Sequence, residues 1–465
     1  MEHCRISREN TLRVRLTSCC VLLTLQICSG WLEPTTLSIF QLSASSAYAS
    51  ESEPDSISAD TKPPSRFLAL PFTEKLALGG LARYDFYSAS KRLDGVHNLN
   101  GLTLQPKVSP QIGSWADAKI EGRLTDQDLT SSREPQQARL LEAYANLYFG
   151  AMDVRIGKQN IPWGRADGFN PTDNLTPKDF TVLSAKDEED RRTGTSGMRV
   201  NLYQSSYTLS LIWLPLFNPN QLPIHVPNGF QLSEDKRSNG DWGNQGFAAR
   251  LDQTGGQVDW SINYYNGLNL WPVARPLSFS EALLIHTRIN SIGADFATNV
   301  NSYGLRGEAA YVQTQNSTGT DVITQNPYAT YVIGIDRNLT DDLNVNIQGY
   351  QRFVINFHHA PAQTPQILRD LIIFNRTVNQ QLDQYQGGFT GRIRATWFNK
   401  ALEGEILCVW NLPRQDFYLR PMMGYELKDN LKLFVGADIF QGRRESYFGR
   451  VEPNSALFVE VRSMF

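Results

Sequence analysis

The sequence predicts an all-β chain closed as a transmembrane antiparallel β-barrel of about eighteen strands. Three observations carry that reading. Segments alternating apolar and polar residues recur from Leu76 to Phe465. Short polar turns and long irregular connections succeed one another along the chain, as in barrels with short turns on one side of the membrane and long loops on the other. No stretch beyond the leader approaches the roughly 18–20 apolar residues of a spanning helix, whereas a spanning strand needs only about 9–11. The mean hydropathy of −0.35 fits strands that give one face to water. A well-mixed net charge of −3 gives no reason to expect a nucleic-acid partner.

In chain order, residues 1–49 read as a signal peptide. Arg5, Arg8, Arg13 and Arg15 precede the apolar run Cys19–Leu32, and Ala47 and Ala49 supply a small-residue cleavage pattern. A lipoprotein cut at Cys28 is the rival reading, with Ile27 standing where a small residue is wanted. Residues 50–75, opening "SESEPDSISADTKPPSR", read as a disordered periplasmic leader. The barrel is expected over residues 76–465. It retains only Cys408, so it is held without an internal disulfide.

Strands are expected near 115–126, 139–149, 153–160, 196–203, 208–214, 246–252, 257–266, 285–298, 302–314, 328–338, 343–355, 385–398, 402–411, 416–427, 431–440 and 455–465. Two weaker segments, 76–87 and 101–107, precede them. Counting both gives eighteen strands and omitting both gives sixteen. Both totals are even, so parity does not choose; the good alternation of 76–87 favours eighteen. The turns "FGAMD", "YQSSY", "DQTGGQ", "TNVNS", "NLTDDL", "FNKAL" and "LKDN" are short. The connections 161–191, 215–243, 268–282, 316–326, 356–382 and 441–454 are long.

A period of two separates the faces of each strand. In "QVDWSINYY", Val258, Trp260, Ile262 and Tyr264 oppose Asp259, Ser261 and Asn263. A Lys or Arg on the lipid face at mid-depth costs roughly 2–4 kcal/mol, so charged rows are assigned to the lumen. The expected lumen charges are Asp117, Lys119, Glu121, Arg123, Arg155, Lys158, Arg306, Glu308, Arg392, Arg394, Glu403, Glu405, Arg420 and Lys432. They either set a transverse field across a pore or pair with one another structurally.

The stretch from Arg155 to Gly194 is the most unusual. Pro162, Pro171 and Pro177 fix its backbone, and Gly164 and Gly168 permit tight bends. A long, ordered loop of this kind is a functional candidate. Folded inward, Trp163, Arg165, Asp167, Asn170, Asp173, Lys178 and Asp179 would form a constriction; folded outward, the loop would cap the barrel. The run Lys186–Arg192 reads as a solvated, internally paired face, with a divalent-cation site as the weaker reading. His358 and His359 lack spaced companion ligands, and no metal or other cofactor is expected. The segment Asn266–Pro276 reads as a loop with an aromatic interface anchor.

Within this loop, "GKQNIPWGRADGFNPTD" resembles the G-[KR]-Q-x-x-x-W-G…N-P-x-D stretch of a family of porin-like Gram-negative outer-membrane barrels. The resemblance is strong over about forty residues and covers the rest of the chain in rhythm only. It implies an outer-membrane channel and leaves the substrate open. Phe465 is similar to the C-terminal aromatic signal read by the barrel-assembly machinery, with Ser463 a weaker match to the accompanying pattern. A terminal strand must also pair with the first strand, because an open edge in lipid leaves backbone groups unsatisfied.

Three function classes compete. The first is a porin-like channel for passive passage of small solutes or amphipathic compounds. The second is a structural or export conduit partnered with periplasmic or inner-membrane components. The third, an outer-membrane hydrolase, needs a nucleophile held beside a base, and no such pattern is recognisable, so an enzyme is not expected. Expected partners are outer-membrane lipid, lipopolysaccharide and the assembly machinery, with homo-oligomerisation left open.

Overall fold

A computed structural model describes residues 75–89, 97–127, 136–181, 188–222, 231–234, 242–278 and 280–465. The expected signal peptide, 1–49, and the expected leader, 50–75, lie outside the described residues except for Lys75, which opens the first strand.

The first seven wall strands are β1 (Lys75–Ala89), β2 (Asn98–Ile112), β3 (Ala116–Gln127), β4 (Gln136–Tyr148), β5 (Met152–Gln159), β6 (Thr195–Gln204) and β7 (Tyr207–Leu214). After a short strand, β8 (Gln231–Glu234), β9 (Gly246–Gln253) and β10 (Val258–Leu268) continue the wall. Two further short strands follow, β11 (Val273–Pro276) and β12 (Glu281–Ile285). The wall resumes with β13 (Arg288–Val300), β14 (Tyr303–Gln313), β15 (Tyr328–Thr340) and β16 (Leu343–Val354). It ends with β17 (Tyr385–Trp397), β18 (Leu402–Asn411), β19 (Asp416–Lys428), β20 (Leu431–Gln441) and β21 (Ala456–Met464).

Eighteen of these strands form one sheet, and both weak N-terminal segments belong to it as β1 and β2. Sequential neighbours pair antiparallel, and β1 pairs with β2 on one side and β21 on the other. That last pairing removes the free edges. The backbone of Phe465 adds two bonds to Gly80, 2.8 and 3.1 Å long.

The faces follow the period of two. Ile262 is 50% exposed while Asn263 beside it is 2% exposed. Ile120, Ile292, Ile333, Ile347 and Val435 belong to the same outward apolar belt. Exposed aromatics border it at both ends. Tyr203, Tyr207, Tyr303, Trp397 and Tyr425 sit near the short turns, and Phe247, Tyr264, Tyr331, Tyr385 and Trp410 near the long loops. This is the girdle arrangement of a lipid-embedded barrel.

One expected lumen charge is misplaced. Lys158 shares a face with Ile156, and its register partners are Ala143 and Ser196. Arg155 and Lys158 lie three residues apart, so a regular strand cannot point both inward. Lys158 is therefore on the outer face, where its ammonium donates to the Leu140 carbonyl at 2.6 Å.

The long connections carry structure that alternation does not announce. β8 and β12 pair in parallel, and β12 pairs antiparallel with β11, in a separate three-stranded sheet. A helix, α2 (Gln366–Val378), lies in the connection between β16 and β17; α1 (Glu188–Arg191) precedes it and α3 (Tyr447–Arg450) follows it. Leu371, Phe374 and Val378, at helical spacing, bury one face of α2 against Ala274, Ala282 and Leu284. Asn375 lies in the same stripe. Its side chain accepts from the Ala274 amide at 2.7 Å and donates to the Ala274 carbonyl at 2.8 Å. Trp271, expected as an interface anchor, packs against this cluster and faces Phe180 with ring centroids 5.2 Å apart.

Candidate functional site

The loop after β5, described over residues 160–181 and 188–194, folds into the barrel. β5 is only 8 residues long, so the chain leaves the wall early. Ile161, Trp163 and Leu175 then pack against Ile212, Leu214, Ala248, Tyr265, Ile289 and Val312, which belong to the inner face of β7, β9, β10, β13 and β14. The loop is thus an inserted segment and not an external cap. Trp163 is 4% exposed and fixes the loop to the wall, so it does not line an opening.

Polar contacts tie the loop to opposite walls. Arg165 pairs with Asp295 on β13 and with Asp252 on β9, the latter at 3.1 Å. The Asp167 carboxylate accepts from Arg306 on β14 at 3.0 Å and from Asn346 on β16 at 2.5 Å. Gln348 on β16 grips the Asp167 backbone, accepting from its amide at 3.2 Å and donating to its carbonyl at 2.8 Å. On the returning limb, Asp179 pairs with Arg139 on β4. Asp190 in α1 pairs with Arg83 on β1 at 2.5 Å, and its carbonyl accepts from Arg123 on β3. The run Lys186–Arg192, part of which lies outside the described residues, is therefore not a wholly solvated face.

Between the loop and the wall of β15 to β18 lies a cavity of about 180 Å³. Asp167, Asn170, Asp173 and Lys178 line it from the loop. Arg352, Arg392 and Arg414 line it from the other side, with Asp383 beside Arg414. The Arg414 guanidinium meets the Asp383 carboxylate through two bonds, 2.6 and 2.9 Å long. Phe169 at the loop tip packs on Tyr350, with centroids 4.9 Å apart, and Arg352 lies 4.4 Å over the Tyr328 ring. The lining therefore combines aromatic faces with charges of both signs.

A second connection also turns inward. Phe448, in α3, packs with Tyr418, Phe440 and Leu407 on the wall. Its amide donates to Asp416 at 2.6 Å. The neighbouring Tyr447 hydroxyl donates to Gln386 at 2.5 Å and accepts from the Leu382 amide at 3.4 Å, joining two long connections over the cavity. Burial pushes that hydroxyl's pKa above the ordinary tyrosine range.

The other expected lumen charges form a paired lining. Lys119 contacts Glu121 at 2.7 Å and Glu142 at 2.5 Å. Arg394 meets Glu405 at 2.8 Å, and Lys432 meets Glu403 at 3.7 Å. Arg420 lies 3.9 Å from Asp438. Asp117 accepts from Asn146 at 2.6 Å and from Tyr148. Arg155 donates to Asn146 at 2.6 Å and covers the Tyr144 ring at 4.2 Å. Arg392 comes within 4.0 Å of Asp167. Glu308 accepts from the loop itself through Thr172, at 2.7 Å from both its amide and its hydroxyl.

Sequence reasoning missed Phe169, Tyr350, Arg352, Tyr447 and Phe448 as cavity residues. The strand pattern does put Tyr350 and Arg352 on one face of β16. The "SYFGR" segment carries a helix-start signal, since the Ser446 hydroxyl accepts from the Gly449 amide at 3.2 Å.

No protein-family model matches the sequence, and no curated protein does. Solved structures do match in fold. OccK1 (OpdK) of Pseudomonas aeruginosa is 9% identical, with a TM-score of 0.52 over 85% of this chain and 99% of that one. OccD3 (OpdP) of the same organism is 12% identical, with a TM-score of 0.51 over 91% of this chain and 98% of that one. OccAB1 of Acinetobacter baumannii is 9% identical, with a TM-score of 0.51 over 85% of this chain and 97% of that one. At these identities the likeness is one of fold: this chain has the architecture of these barrels.

Proposed function

We propose that the chain is an outer-membrane channel of the porin-like kind in a Gram-negative bacterium, passing small solutes or amphipathic compounds passively. The observation that carries this reading is the inserted loop. A closed barrel with an apolar belt is lodged in lipid, and a loop tied to opposite lumen walls narrows a water path. OpdK of Pseudomonas aeruginosa, similar in fold, is an outer membrane protein. The "GKQNIPWGRADGFNPTD" stretch supports the same family reading from sequence.

In this reading Asp167, Asn170, Asp173 and Lys178 form the loop side of the constriction, and Arg352 and Arg392 the wall side. The paired charges elsewhere hold the wall and leave a mixed field. Outer-membrane lipid and lipopolysaccharide cover the belt, and the assembly machinery reads the strand ending at Phe465.

The test is single-channel recording of the refolded mature protein in a planar bilayer. Discrete, reproducible unit currents support the channel. A protein that is folded and heat-modifiable on gels yet carries no current overturns it.

A further inference from the structure

We infer that Glu308 is the post that fixes the inserted loop and so sets the aperture; the aperture part of this rests on the channel reading above. Glu308 projects from β14 into the lumen and is 3% exposed. Its carboxylate accepts from the Thr172 amide and hydroxyl at 2.7 Å each, from the Ala166 amide at 3.3 Å and from the Asn170 side chain at 3.4 Å. One carboxylate thus gathers four donors from residues 166–172.

The loop's local sequence is shaped to that carboxylate. Gly164 has φ +101°, a conformation that side chains rarely adopt, and a Cβ there would stand 2.6 Å from Oε1 of Glu308. Only glycine lets the chain pass so close. Thr172 is fully buried over Gly293 of β13, where a Cβ would stand 2.9 Å from Asn263 Oδ1 as well as meeting the threonine methyl. Pro171 restricts the backbone between the Asn170 and Thr172 donors.

This anchor differs in kind from the ion pairs nearby. Arg165 holds the loop through a long side chain, whereas Glu308 binds two main-chain amides and so locates the backbone. The segment that it locates carries Asp167 and Asn170, which line the cavity. A shift of that segment changes the opening directly, while the barrel, closed by its own strand pairing, remains.

The experiment uses the full mature chain with Glu308→Gln, Glu308→Asp, Gly164→Ala and the Gly164→Ala/Glu308→Gln double variant, each checked for heat-modifiable folding. Glu308→Gln and Gly164→Ala are each expected to raise unit conductance about twofold and to add flicker, because the loop no longer narrows the path in one position. The double variant should add little, since both changes break one contact. Glu308→Asp keeps the carboxyl group and should recover part of the wild-type behaviour. Hydrogen exchange of the peptide carrying residues 164–175 gives an independent readout, with protection lost in Glu308→Gln.

Wild-type conductance and wild-type protection in both single variants would overturn the post, as would fully additive effects in the double. If the wild type carries no current, the channel reading fails, and exchange alone decides whether Glu308 holds the loop. If Glu308→Gln does not assemble, Thr172→Val removes the hydroxyl donor alone and takes its place in both measurements.

Discussion

Arg165, on the inserted loop, pairs with Asp295, whose carboxylate is wholly shielded from solvent on the inner face of β13. The same aspartate accepts from Ser261 at 2.5 Å and lies 3.4 Å from Arg250. The loop's cation is therefore neutralised by the wall and acts as a tether before it acts as a field source.

Reversing that cation should move the loop. Arg165→Glu places a third carboxylate beside Asp252 and Asp295, whereas Arg165→Gln only removes a partner. Breaking a buried pair from one side typically costs about 3–5 kcal/mol. Unit conductance should rise in both variants, and more in Arg165→Glu, with a lower thermal transition on heat-modifiability gels. A change in ion selectivity at unaltered conductance and stability would instead show Arg165 to be a free pore charge.

Excising residues 163–179 removes Trp163 and Leu175 from the loop's apolar foot, its tethers through Arg165, Asp167 and Asp179, and its cavity face together. Conductance should then increase beyond that of any single substitution, because the segment that narrows the cross-section from β9 to β16 is gone. Unchanged unit current would place the narrowest point among wall residues such as Arg123, Arg306 and Arg394.

The barrel was legible because two solvents act on every strand. Lipid and lumen water impose opposite demands on successive residues, and all eighteen wall strands carry that imprint. The same rule exposes the one misplaced charge, since Lys158 breaks the period set by Arg155. The inside of the barrel was less legible. Glu308 finds Thr172 across 136 residues of sequence, and Asp167 finds Gln348 across 181, and no local pattern encodes such partners. Trp163 looked like a pore residue because its apolar partners on β7, β9 and β10 are brought under it only by the curvature of the wall. The small sheet escaped because β8 and β11 are 4 residues long and sit in irregular surroundings. α2 carries a helical stripe that attention to a period of two passed over.

That stripe gives a local prediction. Asn375 satisfies both polar groups of Ala274 in a site where neither it nor Ala274 meets water. Asn375→Ala leaves a buried amide and carbonyl unpaired, at about 1–3 kcal/mol for each group. The loss should be confined to the connection between β16 and β17 and the small sheet. Protease cleavage within residues 355–384 should accelerate while the barrel stays heat-modifiable. A cleavage rate equal to wild type would show that α2 is held by its apolar face alone.

The end of the chain offers the sharpest test of assembly. The Phe465 ring lies over Gly80 of β1 on the outer face, and a Cβ at Gly80 would stand 2.6 Å from the ring's Cζ. The Phe465 backbone meanwhile exchanges two hydrogen bonds with Gly80, so main chain and ring seal the seam together. Two variants separate the contributions. Gly80→Val displaces the ring but leaves the aromatic terminus available for recognition. Deleting Phe465 removes the ring, two seam bonds and the terminus at once. If the aromatic acts as an assembly signal, the deletion should lower outer-membrane levels and speed periplasmic degradation far more than Gly80→Val does. If it acts only by sealing the seam, both variants should assemble at similar reduced levels and share a lowered heat-modifiability transition. The measurement is quantitative fractionation with pulse-chase decay for wild type and both variants. Unchanged membrane levels of the deletion would remove both roles, leaving the nine register pairs between β1 and β21 as sufficient closure.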